Sequence, residues 1–92
     1  MPIATWELTS RFKRDYKRLD AGLQTRVDEI LAQLVPWPSS SFRPHTLSGY
    51  KPVIYVVDLT PNKSHQMTFR VDGSVARMLR VSTHREIDRT PL

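Results

Sequence analysis

Gln66-Met67-Thr68-Phe69-Arg70-Val71-Asp72-Gly73-Ser74-Val75-Ala76-Arg77-Met78-Leu79-Arg80-Val81-Ser82 is the stretch that decides the fold. From 66 to 71 the side chains alternate, with Met67, Phe69 and Val71 on one side and Gln66, Thr68 and Arg70 on the other. That is the period of a strand with one face on a core. Asp72-Gly73 is a turn pair suited to a tight reversal, so residues 75–82 are expected to return as the second arm of a hairpin. With Leu79 and Val81 toward the core, Arg80, Ser82 and, by continuation, His84 share the opposite face. Arg77 then falls on the core parity, a conflict that an edge or frayed position would relieve.

Upstream, Val53 to Leu59 is rich in β-branched residues and reads as another strand, closed by the turn cluster Pro61-Asn62-Lys63-Ser64. The first half of the chain has a different period. Phe12, Tyr16 and Leu19 recur at helical spacing, with Arg11, Lys13, Arg14, Lys17 and Arg18 on the other faces and Thr9 or Ser10 as N-cap. Asp20 caps a second helix whose apolar stripe is Leu23, Val27, Ile30, Leu31 and Leu34. Pro36-Trp37-Pro38 and the serines after it stop that helix. Residues 3–8 read as a short opening strand. The expected order is β-α-α-β-β-β: a two-layer α+β domain, with a helical hairpin packed on one face of an antiparallel sheet. The other face is left open and carries Gln66, Thr68, Arg70 and Arg80.

The chain has 92 residues, which suits one domain spanning 1–92. Such a domain buries about 60–65% of its unfolded surface. It has no cysteine, which excludes disulfides, thiolate metal sites and a cysteine nucleophile. The N-terminal residues have neither the charged nor the apolar region of a secretory signal, and no apolar run is long enough to span a membrane. A cytoplasmic protein is expected. Net charge is +5. Residues 1–42 hold six Lys/Arg against five Asp/Glu, and residues 43–92 hold eight against four. Such an excess suggests a polyanion or an acidic protein as partner; a plain solvated basic surface is the alternative.

Three local patterns, taken in order, resemble one family. Phe12-Lys13-Arg14-Asp15-Tyr16-Lys17-Arg18-Leu19 is similar to the first helix of the RelE/ParE toxin superfamily, an aromatic followed by a basic run ending in Leu. His45-Thr46-Leu47-Ser48-Gly49 resembles that family's His-x-Leu-x-Gly segment before the second strand. Arg80-Val81-Ser82-Thr83-His84-Arg85-Glu86-Ile87-Asp88 resembles its closing strand and histidine-bearing tail. The likeness runs over nearly the whole chain and is nearest to the RelE/YafQ-like branch. It implies a ribosome-dependent endoribonuclease that cuts mRNA, thereby inhibiting translation, and a cognate antitoxin as partner. It also leaves a ParE-like inhibitor of DNA gyrase, or a non-catalytic member of the fold, as the alternative.

Metal-free RNA cleavage needs a group to take the 2′-hydroxyl proton, positive charge on the phosphorane, and a proton for the 5′-oxygen. Histidine suits the proton transfers and arginine the charge. The resemblance points to His84 as general acid or base, with His45 as a second candidate. Their plain alternatives are a surface histidine in a polar tail and a loop histidine anchoring the turn before Gly49. Arg70 is the candidate for the phosphorane, or else a solvated strand arginine. Lys51, Arg80 and Arg85 are candidate RNA contacts. The chain departs from the family at Gln66, where many ribonuclease members carry arginine, and at Asp88, where an aromatic residue is usual; an aspartate there orients His84 or repels phosphate. Asp58 is a further acid/base candidate, and His65 reads as idle. No His/Asp/Glu grouping has metal-ligand spacing, so neither metal nor cofactor is expected. The antitoxin is expected on the open sheet face or in the helical hairpin groove.

Overall fold

The computed structural model describes residues 3–37 and 44–92. Part of the break after the second helix, from Pro38 onward, lies outside the described residues. The order is β1 (Thr5–Leu8), α1 (Ser10–Lys17), α2 (Ala21–Gln33), β2 (His45–Leu47), β3 (Ile54–Asp58), β4 (His65–Asp72), β5 (Val75–Thr83) and α3 (His84–Arg89). The expected N-caps form. The Thr9 hydroxyl accepts from the Phe12 N–H at 3.2 Å, and Asp20 Oδ1 accepts from the Leu23 N–H at 2.9 Å. Each satisfies a donor that the first helical turn would otherwise leave without a partner.

The sheet runs β1-β5-β4-β3-β2. Three of its four pairings are antiparallel, but β1 lies parallel to β5, so the sheet is mixed rather than wholly antiparallel. Two elements exceed the expected order: His45–Leu47 forms an edge strand, and the tail after β5 is a helix. The hairpin at Asp72-Gly73 closes through a two-residue turn, Gly73-Ser74, with Gly73 at φ +64°.

Helices α1 and α2 pack on one face of the sheet. Phe12, Val27, Ile30 and Leu34 meet Val57, Met67, Phe69, Ala76, Met78 and Val81 there. Trp37, Tyr55 and Phe69 extend this core as an aromatic group, with ring centroids 4.9–5.8 Å apart. Trp37 is thus part of the helical core.

Between β4 and β5 the register slips: Thr68 pairs with Arg80, but Phe69 pairs with Met78. One extra residue on β5 resets its alternation. Met78 and Val81 therefore both reach the helical core, and Leu79, expected in that core, is buried outside it. Arg77 also leaves the core parity. Its Nε donates to Glu7 Oε1 across the β1–β5 pair at 2.7 Å.

The second sheet face is not open. Helix α3 packs on β4 and β5, with Ile87 buried, and the following tail lies beside it. The Thr68 hydroxyl donates to the Pro91 carbonyl at 2.7 Å. Ile54, Val56, Leu79 and Ile87 are buried apart from the helical core. Gln66, Thr68 and Arg80, expected to be bare, are all buried.

Candidate functional site

β1 pairs with only Val75 to Met78 of β5. Beyond Met78 that edge of β5 has no strand neighbour among the described residues, and α1 takes its place. The Thr9 N–H and hydroxyl donate to the Met78 and Leu79 carbonyls at 3.2 and 3.3 Å. Asp15, one helical turn after Phe12, turns its carboxylate to the same edge. Its Oδ2 accepts from the Val81 N–H at 3.2 Å.

Arg80 completes this arrangement. Its Nε and Nη2 donate to the two carboxylate oxygens of Asp15, both at 3.0 Å, and its Nη1 donates to the Thr90 hydroxyl and carbonyl at 2.8 and 3.1 Å. Both side chains are 6% exposed. This is the fork-on-carboxylate geometry that arginine alone provides. Sequence reasoning missed the pair, although one signal was present: Asp15 is the single acid in a basic helix and sits between Phe12 and Tyr16, where burial demands a partner.

The expected site residues lie on or beside the α3 side of the sheet, at different points. His84 opens α3 and is exposed; its Nε2 lies 3.4 Å from Asp88 Oδ2, one turn on. Its backbone N–H donates to the Ser64 carbonyl, which ties α3 to the β3–β4 turn. Arg85 is exposed on the same helix. His45 is exposed on edge strand β2, in one row with Val56, Thr68 and Arg80. Arg70 is half-buried on β4, opposite Arg77, two residues from Thr68 and therefore about 7 Å along the strand from that row. Lys51 is exposed in the segment before β3. The fold brings His84 to Asp88 and Arg80 to Asp15; among the described residues no hydrogen bond or ion pair joins His45, Arg70 and His84 to one another.

Gln66 and Asp58 do meet. The amide Nε2 donates to Asp58 Oδ1 at 2.7 Å across the β3–β4 pair. Asp58 is thereby engaged within the sheet. His65 has its Nδ1 3.0 Å from the Ser64 hydroxyl and stands near Ser82 and Thr83.

Clefts flank α1 on both sides. On one side lies a groove of about 470 Å³, walled chiefly by Trp6, Leu8, Phe12, Tyr16 and Leu31, with Lys13 and Lys17 on its rim. On the other, a polar cleft of about 240 Å³ is lined by Arg11, Arg14, Asp15, Arg18 and Arg80. It abuts a smaller one of about 170 Å³ that shares Asp15 and Arg18 and runs on to His65, Ser82 and Thr83. The Tyr16 phenol donates to Asp28 Oδ1 at 2.9 Å between the two helices. That hydrogen bond to a carboxylate raises the phenol's pKa above its ordinary value.

Among the described residues no three His, Asp or Glu side chains are grouped to hold a metal ion, and no helix is long and apolar enough to cross a membrane. No family model matches the sequence, and no curated protein matches it. Solved structures do. A YoeB/ParE toxin from Agrobacterium tumefaciens superposes with a TM-score of 0.71 at 19% identity, covering 87% of this chain and 98% of that one. A copper-bound mutant toxin from Helicobacter pylori gives 0.61 at 19% identity, over 95% and 99%. A conserved hypothetical protein from Helicobacter pylori gives 0.56 at 22%, over 90% and 97%. The chain has the RelE/ParE-type toxin fold.

Proposed function

We propose that this protein is the toxin of a toxin–antitoxin pair and that it acts as a metal-independent endoribonuclease on ribosome-bound mRNA. The observation that carries the reading is His84: an exposed imidazole paired with Asp88 at the head of α3, on a fold shared with YoeB/ParE-type toxins. With Nε2 turned to Asp88, Nδ1 is the nitrogen available to substrate. In the proposed reaction the 2′-oxygen gives its proton to a base and attacks phosphorus. The bond from phosphorus to the 5′-oxygen then breaks, and that oxygen takes a proton. The products are a 2′,3′-cyclic phosphate and a 5′-hydroxyl. His84 serves one of the two proton transfers, and Asp88 holds the ring, the role a carboxylate beside histidine fills in acid–base catalysis.

Arg85, the residue after His84 and exposed on the same helix, is the cation assigned to the phosphate. His45, Arg70 and Lys51 stay in the reading as contacts to RNA away from the cleaved bond. Arg80 is given a structural role instead, because its guanidinium is buried between Asp15 and Thr90. Of the two surfaces expected to receive the antitoxin, the sheet face is covered by α3 and the tail, and the groove between α1, α2 and β1 is accessible.

Primer extension on mRNA after induction tests the reading. Wild type should give cuts at ribosome-occupied codons. His84→Ala should lose them by about 10²–10⁴-fold while its melting temperature is unchanged. Cuts that persist at the wild-type level in the folded variant remove His84 from the reaction.

A second reading, inhibition of DNA gyrase by binding, is favoured by one observation. Gln66 is spent on Asp58, in place of the arginine that ribonuclease relatives present. It predicts stabilised gyrase cleavage complexes, no mRNA cuts, and no effect of His84→Ala.

A further inference from the structure

Charge bookkeeping locates the positive field of this molecule. The chain has 14 Lys/Arg and 9 Asp/Glu. Arg80 and Asp15 neutralise each other in their buried pair. Helix α1 with its C-cap then holds Arg11, Lys13, Arg14, Lys17 and Arg18 and no unpaired acid. Removing these seven residues leaves eight basic and eight acidic side chains in the rest of the chain. The whole net charge of +5 is therefore matched by one helix of two turns.

The arginines share a flank. Arg11, Arg14 and Arg18 follow one another at steps of three and four residues, about 4.5 and 6 Å along the helix axis. Arg11 is engaged with the tail, its Nη1 donating to the Leu92 carbonyl at 2.9 Å. Arg14 and Arg18 are exposed and have no ion pair or side-chain hydrogen bond among the described residues. Their cleft continues past His65 to the hydroxyls of Ser82 and Thr83. Thr83 immediately precedes His84.

We propose that this channel is a track for the sugar-phosphate backbone of single-stranded RNA, with Arg14 and Arg18 as its phosphate ligands. The inference deepens the ribonuclease reading and rests on it for the sense of a track that runs to Thr83, the residue before His84. Guanidinium groups free of partners, lined up over a polar floor and followed by hydroxyls, match a chain of phosphates with no base-specific demand. An acidic polypeptide would also be attracted, but it needs apolar anchors for affinity, and the apolar walls lie on the opposite flank of α1. The paired Arg80 is what permits the track: without it, Asp15 would put a negative charge in the channel floor.

The test is binding of a labelled single-stranded oligoribonucleotide across a salt series. The proteins are wild type, Arg14→Gln/Arg18→Gln, and Lys13→Gln/Lys17→Gln, which removes equal charge from the other flank. All four positions are exposed, and equal melting temperatures confirm the folds. The arginine variant should bind about tenfold or more weakly, and its log–log salt slope should be shallower by about 1.4, two phosphate contacts at about 0.7 each. The lysine variant should lose several-fold less affinity. Equal losses in both variants, or wild-type affinity and slope in the arginine variant, overturn the track. So does an arginine variant that keeps RNA but loses polyglutamate, which would make the channel a protein-binding surface. Wild type that binds no RNA overturns the track and leaves the ribonuclease reading to primer extension. If the arginine pattern holds but primer extension shows no cuts, the track stands and the catalytic reading falls. If His84-dependent cuts appear and the arginine variant binds as wild type, the reverse follows.

Discussion

Arg11, Arg14 and Arg18 line one flank of α1 and Lys13 and Lys17 rim the other, so the two sides of this helix begin with similar charge. What separates them is the opposing wall. On the lysine flank, β1 and α2 supply Trp6, Leu8 and Leu31, and the result is a groove of about 470 Å³ that is largely apolar. On the arginine flank, β1 has ended, the edge of β5 is closed by Asp15 and Thr9, and the cleft is polar. A basic helix by itself specifies no ligand class; the neighbour across the cleft does. Asp15 is the hinge of the difference, because it bonds the β5 edge and cancels Arg80 in one place.

The severest way to break this contrast is Asp15→Ala. It leaves the Arg80 guanidinium buried without a counter-charge and the Val81 N–H without an acceptor. A loss of about 3–5 kcal/mol is expected, a large part of what a domain this size has. The melting temperature should fall by roughly 12 °C or more. The double change Asp15→Leu/Arg80→Met should recover much of that loss, since replacing both members of a buried pair is often close to neutral. Denaturant unfolding of wild type and both variants checks it. A double variant less stable than the single would refute the role given to the pair.

Next in size is Ile87→Ala, in the helix that carries His84. Ile87 is 1% exposed and anchors α3 on the second sheet face. Its truncation should cost about 2–5 kcal/mol. Amide exchange should accelerate in α3 and the tail more than in α1 and α2, and the ribonuclease reading predicts less mRNA cutting because His84 rides on α3. Uniform acceleration across both layers would mean that α3 does not form a separately anchored unit.

The smallest effect belongs to Tyr16→Phe on the apolar flank. The phenol's bond to Asp28 raises its pKa in the folded state. The sign follows from linkage: a group whose folded pKa is raised contributes fully below its unfolded value and loses that contribution as pH rises through the folded one. Tyr16→Phe should therefore lower the melting temperature slightly at neutral pH. The gap to wild type should close in alkaline solution, above the ordinary phenol value near 10. A gap that widens with pH would contradict the hydrogen bond.

Much of the architecture was legible because its signals are local. Thr9 and Asp20 cap the helices they precede, Phe12 and Val27 mark the buried stripes, and Asp72-Gly73 places the hairpin. The misreadings share a cause. The β5 parity put Arg77 inward because a single extra residue in a strand leaves no mark on composition, yet it reverses every later side chain. The second sheet face looked open because Gln66, Thr68 and Arg80 are polar. They are buried, and each makes a hydrogen bond within the protein, which polarity alone does not reveal.

The amino-acid sequence alone determined the two amphipathic helices, the strand-rich second half and a histidine just past the last strand, since periodicity and capping depend on residues a few positions apart. Only the tertiary structure decided where the charge acts. Counted along the chain, the excess lies in the second half, at +4 against +1. In space, α1 with its C-cap carries five basic side chains and no uncancelled acid, a sum equal to the net charge, because its one acid, Asp15, is taken up by Arg80, 65 residues away. Charge cancellation follows distance through the folded molecule, and nothing in the spacing of two residues so far apart records it.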